Sequence, residues 1–444
     1  MAEPWDRRTA QQQAGRRDAA IAEQVGRRVG PASPFYRDRL AALGTVASAI
    51  TDLRSLQRLP AVGERDVCPG GDPVAAARLV VRTSEAGWVR TSSGPTLRRG
   101  LSARLRRTPA YELQVEGAVR PTSYTFGGLA MTLPIASTRD DLDIVARAGA
   151  RLWSVLGLTG ADVMVSALPT VARVEHTALM AAALAASAPA LAPGEDPDGL
   201  AEVLALVPPT VLALPADTAA DLLTELAGAV PESVRTVLLV GAVDDVLRAQ
   251  VADELPEARA LQVWGPPDGR WLWGEAKPGG GLVSYPDLEV LEVVDPRTGE
   301  PAGRGDGGEL VLSQLGVSGT ALLRWRTGAL LPGPLAADPG AAGGRTVPLV
   351  PPGLRIGELV VPVDDAGTTV LLDLRAVDGA LAGAADVAAW RSEVVSTRGR
   401  DGLVVRLRPA EGSDPKAVGT AAAADVLAAA GLAPVKVVID RRLT

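Results

Sequence analysis

Thr210-Val211-Leu212-Ala213-Leu214 is followed by a helical stretch, Ala216 to Ala229, and then by a second apolar run, Arg235-Thr236-Val237-Leu238-Leu239-Val240. The same alternation extends to either side. Asp162 to Leu168 precedes a helical segment from Thr177 to Ala188, and Asp244 to Glu254 precedes a further run, Ala260 to Trp264. A strand that is apolar at successive positions, not at alternate ones, is covered on both faces. Short runs of that kind separated by helices predict a parallel sheet with helices above and below it. The fold class expected is therefore α/β, with a large N-terminal domain of mostly parallel sheets flanked by helices.

Moving outward, Leu288 to Val294 and Glu309 to Ser313 read as further strands, separated by the turn Asp295-Pro296-Arg297-Thr298-Gly299. The Pro-, Gly- and Ala-rich stretch from Leu331 to Gly353 offers little to a repeating element and is expected to be a linker. Beyond it, Thr369 to Leu374, Gly402 to Arg408, a helix from Lys416 to Ala430 and Val435 to Asp440 predict a small α+β domain. The expected division is 1–350 for the large domain and 354–444 for the small one. On the N-terminal side, residues 1–110 read as mainly helical, with Leu53, Leu56 and Leu59 on one face of a turn before Pro60. A longer helix is expected from Ser137 to Gly157, with Ser137 as its cap and Gly157 as its stop.

Composition excludes several classes of function. The first 30 residues carry six arginines with no apolar core between them, so no signal peptide is expected and a cytoplasmic location is. Thr177 to Pro193 is too short and too interrupted for a membrane span, and no membrane partner is expected. The net charge is −7 and the basic residues are scattered, which argues against a nucleic-acid partner. Cys68 and His176 are each the only residue of their type, so neither an internal disulfide nor a Cys/His zinc site can form. Lys277, Lys416 and Lys436 are the only lysines, which limits any lysine-dependent step to these three.

Several segments occur in an order and at a spacing that resemble the phenylacetate-CoA ligase branch of the adenylate-forming superfamily. They are Ser33-Pro34-Phe35-Tyr36-Arg37, Asp52-Leu53 to Leu59-Pro60, Arg147-Ala148-Gly149, Asp295-Pro296 to Gly299-Glu300, Gly308-Glu309-Leu310-Val311 and Leu323-Arg324-Trp325-Arg326-Thr327-Gly328. The resemblance implies an acetyl-CoA synthetase-like fold with a small C-terminal domain. It also implies a reaction in which a carboxylic acid and ATP form an acyl-adenylate, whose acyl group passes to coenzyme A. Such chemistry needs a glycine loop for the phosphates, a carboxylate for magnesium, an acid for the ribose and a mobile lysine.

Carried over residue by residue, these parts are altered. The phosphate loop corresponds to Ser92-Ser93-Gly94-Pro95-Thr96-Leu97-Arg98: Ser92, Ser93, Gly94 and Thr96 remain to bind nucleotide, whereas Pro95 removes a backbone donor and Leu97 replaces a glycine. A plain surface turn is the competing reading. Where relatives have an adenine-contacting aromatic followed by glycine and a magnesium-binding glutamate, this chain has Trp264-Gly265-Pro266-Pro267-Asp268. Trp264 and Gly265 would hold the base and Asp268 the ion; a Pro-rich strand end is the alternative. Glu275 stands where relatives often have a glutamate. In Arg326-Thr327-Gly328-Ala329, Thr327 keeps a nucleotide-site position, but Ala329 replaces the ribose-binding aspartate. That loses charge-assisted bonds worth about 1.5–3 kcal/mol each.

Arg355 aligns with a nucleotide-site position, but Glu358 falls where relatives have arginine, and no hinge or glycine-rich loop follows in Leu359 to Leu374. Lys436 is either a displaced counterpart of the catalytic lysine or part of the strand that precedes it in relatives; the β-branched run around it favours a strand. Phe126, Gly127 and His176 would line the acyl pocket, and for His176 a structural role is the alternative. Cys68 reads as an ordinary loop thiol. Three functions follow from the resemblance. One is a catalytically impaired pseudoenzyme with a binding role or protein partner, which the four altered positions favour. Another is an active acyl- or aryl-CoA ligase using ATP, magnesium and coenzyme A on a small carboxylic acid. The third is a half-reaction enzyme whose lysine comes from another protein.

Overall fold

A computed structural model describes residues 4–68, 72–81, 105, 121–128, 132–171, 173–296, 298–360, 370–372, 374–397, 400–430 and 433–440. The chain divides into two compact units. The first comprises Met1–Val294, Pro301–Thr327 and Leu331–Leu354; the second comprises Asp295–Glu300, Gly328–Leu330 and Arg355–Thr444.

The first unit opens with the helices Ala10–Ile21, Pro34–Ala42, Leu53–Gln57 and Glu64–Val67. A hairpin follows, β1 (Ser123–Gly127) with β2 (Leu133–Ser137). The main sheet is built from β3 (Met164–Ser166), β4 (Ala190–Leu191), β5 (Val211–Pro215), β6 (Thr236–Val240), β7 (Arg259–Trp264), β8 (Trp273–Glu275), β9 (Leu282–Val283) and, much later, a strand at Leu349–Val350. β4, β3, β5, β6 and β7 run parallel in that spatial order, and antiparallel strands extend the sheet from β7 onward.

The parallel part has the two-sided burial that its composition predicts. Successive side chains of a strand point to opposite faces. Val211, Ala213, Leu238, Val240, Leu261 and Val263 pack on one face with Leu152, Leu156, Leu179 and Ala182 from the helices Arg139–Val155 and Val174–Ala185. Leu212, Leu214, Val237 and Leu239 pack on the other with Leu200, Leu204, Leu222, Leu223, Leu247 and Val251 from the helices Pro197–Leu206, Ala219–Glu225 and Asp245–Glu254. Gly149 permits the close helix crossing on the first face: a Cβ there would lie 2.7 Å from Ala182 Cα.

Two local expectations are corrected. The long helix is capped by Thr138, not Ser137: Thr138 Oγ1 accepts from the Asp141 N–H at 3.2 Å and Asp141 Oδ2 accepts from the Thr138 N–H at 2.9 Å. Ser137 instead finishes β2, and its hydroxyl accepts from Arg270 Nε at 3.2 Å. The expected linker from Leu331 to Gly353 is not loose. Ala341, Ala342 and Val347 are buried, and Leu349–Val350 pairs with β9, so small residues here serve close packing.

β10 (Glu289–Val294) and β11 (Gly308–Gln314) pair antiparallel, and β12 (Trp325–Leu331) lies beyond β11. With the strand at Leu349–Val350 as β13, the second unit contains β14 (Arg355–Ile356), paired with Ala329 and Leu330, and the pair β15 (Glu358–Val360) with β16 (Val370–Leu372). Its core lies between the helices Leu374–Ala382 and Pro415–Ala430 and a three-stranded sheet of β17 (Val387–Thr397), β18 (Arg400–Pro409) and β19 (Lys436–Ile439). Among the described residues no helix is long and apolar enough to cross a membrane.

Candidate functional site

Open α/β sheets present ligands at the carboxyl ends of their parallel strands. Here β7 ends at Trp264, and the chain turns through Gly265, Pro266, Pro267 and Asp268. Glycine is required at 265 because a Cβ would lie 2.5 Å from the Trp271 carbonyl oxygen. β1 lies directly on this turn: a Cβ at Gly127 would sit 2.2 Å from the Pro267 carbonyl oxygen and 2.9 Å from Asp268 Cα. The preceding residue, Phe126, bridges to Arg173, the N-cap of the helix Val174–Ala185, whose first turn carries Glu175 and His176. The fold thus brings Phe126, Gly127, Asp268 and the turn bearing His176 to one place. Phe126 is exposed there.

Asp268 is buried and held by a residue that the motif comparison assigns no role. Trp325 Nε1 donates to Asp268 Oδ2 at 2.7 Å, and Oδ1 finds no hydrogen-bond partner among the described residues. Burial pushes the carboxyl well above the usual carboxylate range. The charge of Glu64 adds to this, the indole N–H opposes it, and Glu175 adds a smaller push. Burial also lowers the His176 imidazole below its ordinary value, and its buried Nδ1 has no partner among the described residues. The arrangement sets a carboxyl whose ionisation burial disfavours and an imidazole whose protonation burial disfavours near two further acids, Glu64 and Glu175. It can donate and accept hydrogen bonds to a small polar group.

Asp268 is the carboxylate that would hold a magnesium ion in this site. The ion prefers ionised carboxylates with room for several retained waters. Asp268 is buried, with Oδ2 engaged by Trp325 and Oδ1 unpartnered among the described residues, and among those residues no group of three His, Cys, Asp or Glu side chains stands together.

The other residues carried over from the motifs occupy structural settings. Trp264 is buried, with its ring 5.6 Å from that of Trp273 at a tilt of 57°. Thr327 donates its hydroxyl proton to the Leu310 carbonyl at 2.7 Å. Glu275 accepts from Arg248 and from the Gln262 N–H, each at 2.8 Å, and ties β8 to β7 and to the helix Asp245–Glu254. In the second unit, Arg355 is exposed on β14, and Lys436 is exposed at the start of β19, in parallel register with Val404. Ser92, Ser93, Gly94 and Thr96 lie outside the described residues. Cys68 is buried, and burial raises its thiol pKa.

The arginines around Trp325 tie the 324–328 segment to its neighbours. Arg324 is buried at φ +47°, pairs with Glu292 at 3.3 Å and donates to the Gln57 and Leu59 carbonyls. Arg326 forms a fork with Glu309, at 2.8 and 2.7 Å. Between them, Trp325 bridges to Val62, two residues before Glu64. Glu64 and Trp325 were not singled out from sequence as site residues. Trp325 lay within a recognised motif; Glu64 carried no local signal.

Comparison with solved structures agrees with this architecture. The chain superimposes on 2-hydroxyisobutyryl-CoA ligase bound to 2-HIB-AMP and coenzyme A in the thioesterification state with a TM-score of 0.63 at 16% identity, covering 99% of this chain and 89% of that one. The same ligase in its postadenylation state with R3-HIB-AMP gives 0.60 at 15% identity, covering 99% and 89%. Its open conformation gives 0.59 at 17%, covering 98% and 88%. These neighbours are CoA ligases of the adenylate-forming superfamily, and the chain has their α/β fold, with a large domain and a small C-terminal one. No family model matches the sequence, and no curated protein matches it.

Proposed function

We propose that this chain is a phenylacetate-CoA ligase-like member of the adenylate-forming group whose nucleotide chemistry is impaired, and that it serves as a binding protein or partner subunit. The observation that carries this reading is the bond between Trp325 and the buried, protonation-favouring Asp268. It engages the carboxyl that would otherwise bind the metal. Trp264 is likewise buried against Trp273, which leaves little ring face for a base. Ala329 supplies no side-chain acceptor for a ribose, and Lys436 belongs to a strand. The ligand proposed is a small carboxylic acid at Phe126, Gly127 and His176, in a cytoplasmic protein.

ATP–pyrophosphate exchange tests this proposal directly. Purified protein is assayed with a panel of aryl and short-chain acids, alongside binding of the same acids followed by tryptophan fluorescence. No exchange above background with any acid is expected, whereas acid-dependent exchange would overturn the reading. It would instead favour the alternative, an active acyl- or aryl-CoA ligase using ATP, magnesium and coenzyme A. The unpartnered Asp268 Oδ1 and His176 Nδ1 are the features that favour that alternative.

A further inference from the structure

We propose that the N-terminal helix carries a docking groove for an acidic protein segment. The groove is an open depression of about 520 Å³ lined by Arg7, Arg8, Gln11, Gln12, Gly15 and Arg16. Among the described residues no acidic side chain lines it, although the chain as a whole has a net charge of −7.

The ion pairs of this region single out the groove. Of the six arginines in the first 30 residues, Arg17 pairs with Asp18 at 3.2 Å, and Arg27 and Arg28 pair with Glu23 at 3.1 and 3.6 Å. Arg7, Arg8 and Arg16 have no ion pair among the described residues, and these are the three that line the groove. An arginine fork matches a carboxylate in two parallel hydrogen bonds. Three guanidinium forks with no ion pair among the described residues, beside two primary amides, form a surface complementary to glutamate and aspartate side chains.

The groove is also held in place before any partner arrives. The Thr346 N–H donates to the Asp6 carbonyl at 2.8 Å, its hydroxyl donates to the Arg8 carbonyl at 2.9 Å, and Gln13 Nε2 donates to the Thr346 carbonyl at 2.6 Å. Trp5 is buried against Tyr285, with the Arg151 guanidinium 4.6 Å from its ring centroid. A segment anchored on both sides loses little further freedom on binding, which favours affinity.

Carboxylates fit better than phosphates. A phosphate site at a helix start uses free backbone N–H groups. Here the capping box occupies two of them: Gln12 N–H donates to Thr9 Oγ1 at 3.3 Å, and Thr9 N–H donates to Gln12 Oε1 at 3.0 Å. The shallow groove encloses nothing. It suits an acidic segment laid along Gln12 and Arg16, neighbours on one helix face.

The test uses the full chain and a fluorescent deca-glutamate peptide at low salt, read by anisotropy, with inorganic polyphosphate as a second probe. The triple variant Arg7→Glu, Arg8→Glu, Arg16→Glu should weaken peptide binding by about tenfold or more. Arg37→Glu, Arg54→Glu, Arg304→Glu makes the same change in net charge at exposed positions outside the groove and should weaken it by less than about threefold. The triple Arg→Gln variant, with its melting temperature checked, guards against misfolding and should also lose binding. Equal losses in the groove and control variants, or no peptide binding by the wild type, would overturn the proposal. Groove-dependent binding of polyphosphate without binding of the peptide would overturn it in favour of a phosphate ligand.

Discussion

Replacing Trp325 with phenylalanine removes one hydrogen-bond donor and part of one ring from the place where β12 meets the turn after β7. The donor spans 2.7 Å to Asp268 Oδ2, and both residues are buried. Asp268 would be left with neither oxygen partnered among the described residues, because Oδ1 already has none. Leaving a buried polar group unsatisfied costs about 1–3 kcal/mol. The vacated ring volume adds about 1–2 kcal/mol, between the costs of deleting one methylene and a whole aromatic side chain. W325F should therefore destabilise by about 2–5 kcal/mol in urea unfolding.

The sign of the pH dependence follows from the protonation state. Asp268 is raised in the folded protein, so its contribution to stability is present below its unfolded value and is lost as pH rises through the folded one. The indole N–H opposes this shift by favouring the ionised form, so the cost of W325F should be larger above the folded value of Asp268 than below it. A double-mutant cycle with Asp268→Asn isolates the pair, with an expected coupling of about 1 kcal/mol or more. A cost below about 0.5 kcal/mol, or a coupling of zero within error, would refute the assignment of Trp325 as the residue that holds Asp268.

Gly127→Ala places a methyl group against the Pro267 carbonyl and Asp268 Cα, so it should destabilise by about 1–3 kcal/mol and shift tryptophan fluorescence; an unchanged melting temperature would contradict the contact. Burial pushes the Glu289 carboxyl up to about 7 despite donors from Trp271, Trp273 and the Tyr285 N–H. Its stabilising contribution should fall as pH rises from 4.5 to about 7, and Glu289→Gln should flatten that part of the stability profile in urea melts, although it costs stability at every pH.

The parallel sheet was legible because its signal is local. Val211–Pro215 and Thr236–Val240 are buried at every position, and the apolar runs that encode them are uninterrupted. The cap of the long helix lies one residue beyond the expected one because Ser137 and Thr138 are adjacent cap formers. Only the three-dimensional path of β2 decides between them, and it assigns Ser137 to a strand. The 331–353 stretch looked like a linker because alanine and glycine carry little hydrophobic area of their own, yet small residues are what close packing beside Ala341 and Ala342 requires.

The candidate site was legible only in part. Asp268 stands at a motif position, whereas Phe126 and Gly127 follow from a glycine-opened loop and His176 from a segment similar to one in relatives; β1 packs on the turn that carries Asp268. The Trp325 bond spans 57 positions in sequence and Glu64 lies far from both residues, so no local pattern could announce them. Trp264 has the composition of a stacking residue, but its burial against Trp273 depends on where the chain returns after the Pro-rich turn.

The central claim, that the nucleotide site no longer works as one, is tested most directly by calorimetric titration of MgATP into the full chain, with adenosine as a control for base stacking alone. The account predicts no heat of binding up to millimolar MgATP and none for adenosine. Micromolar MgATP binding that is lost when magnesium is chelated would contradict it.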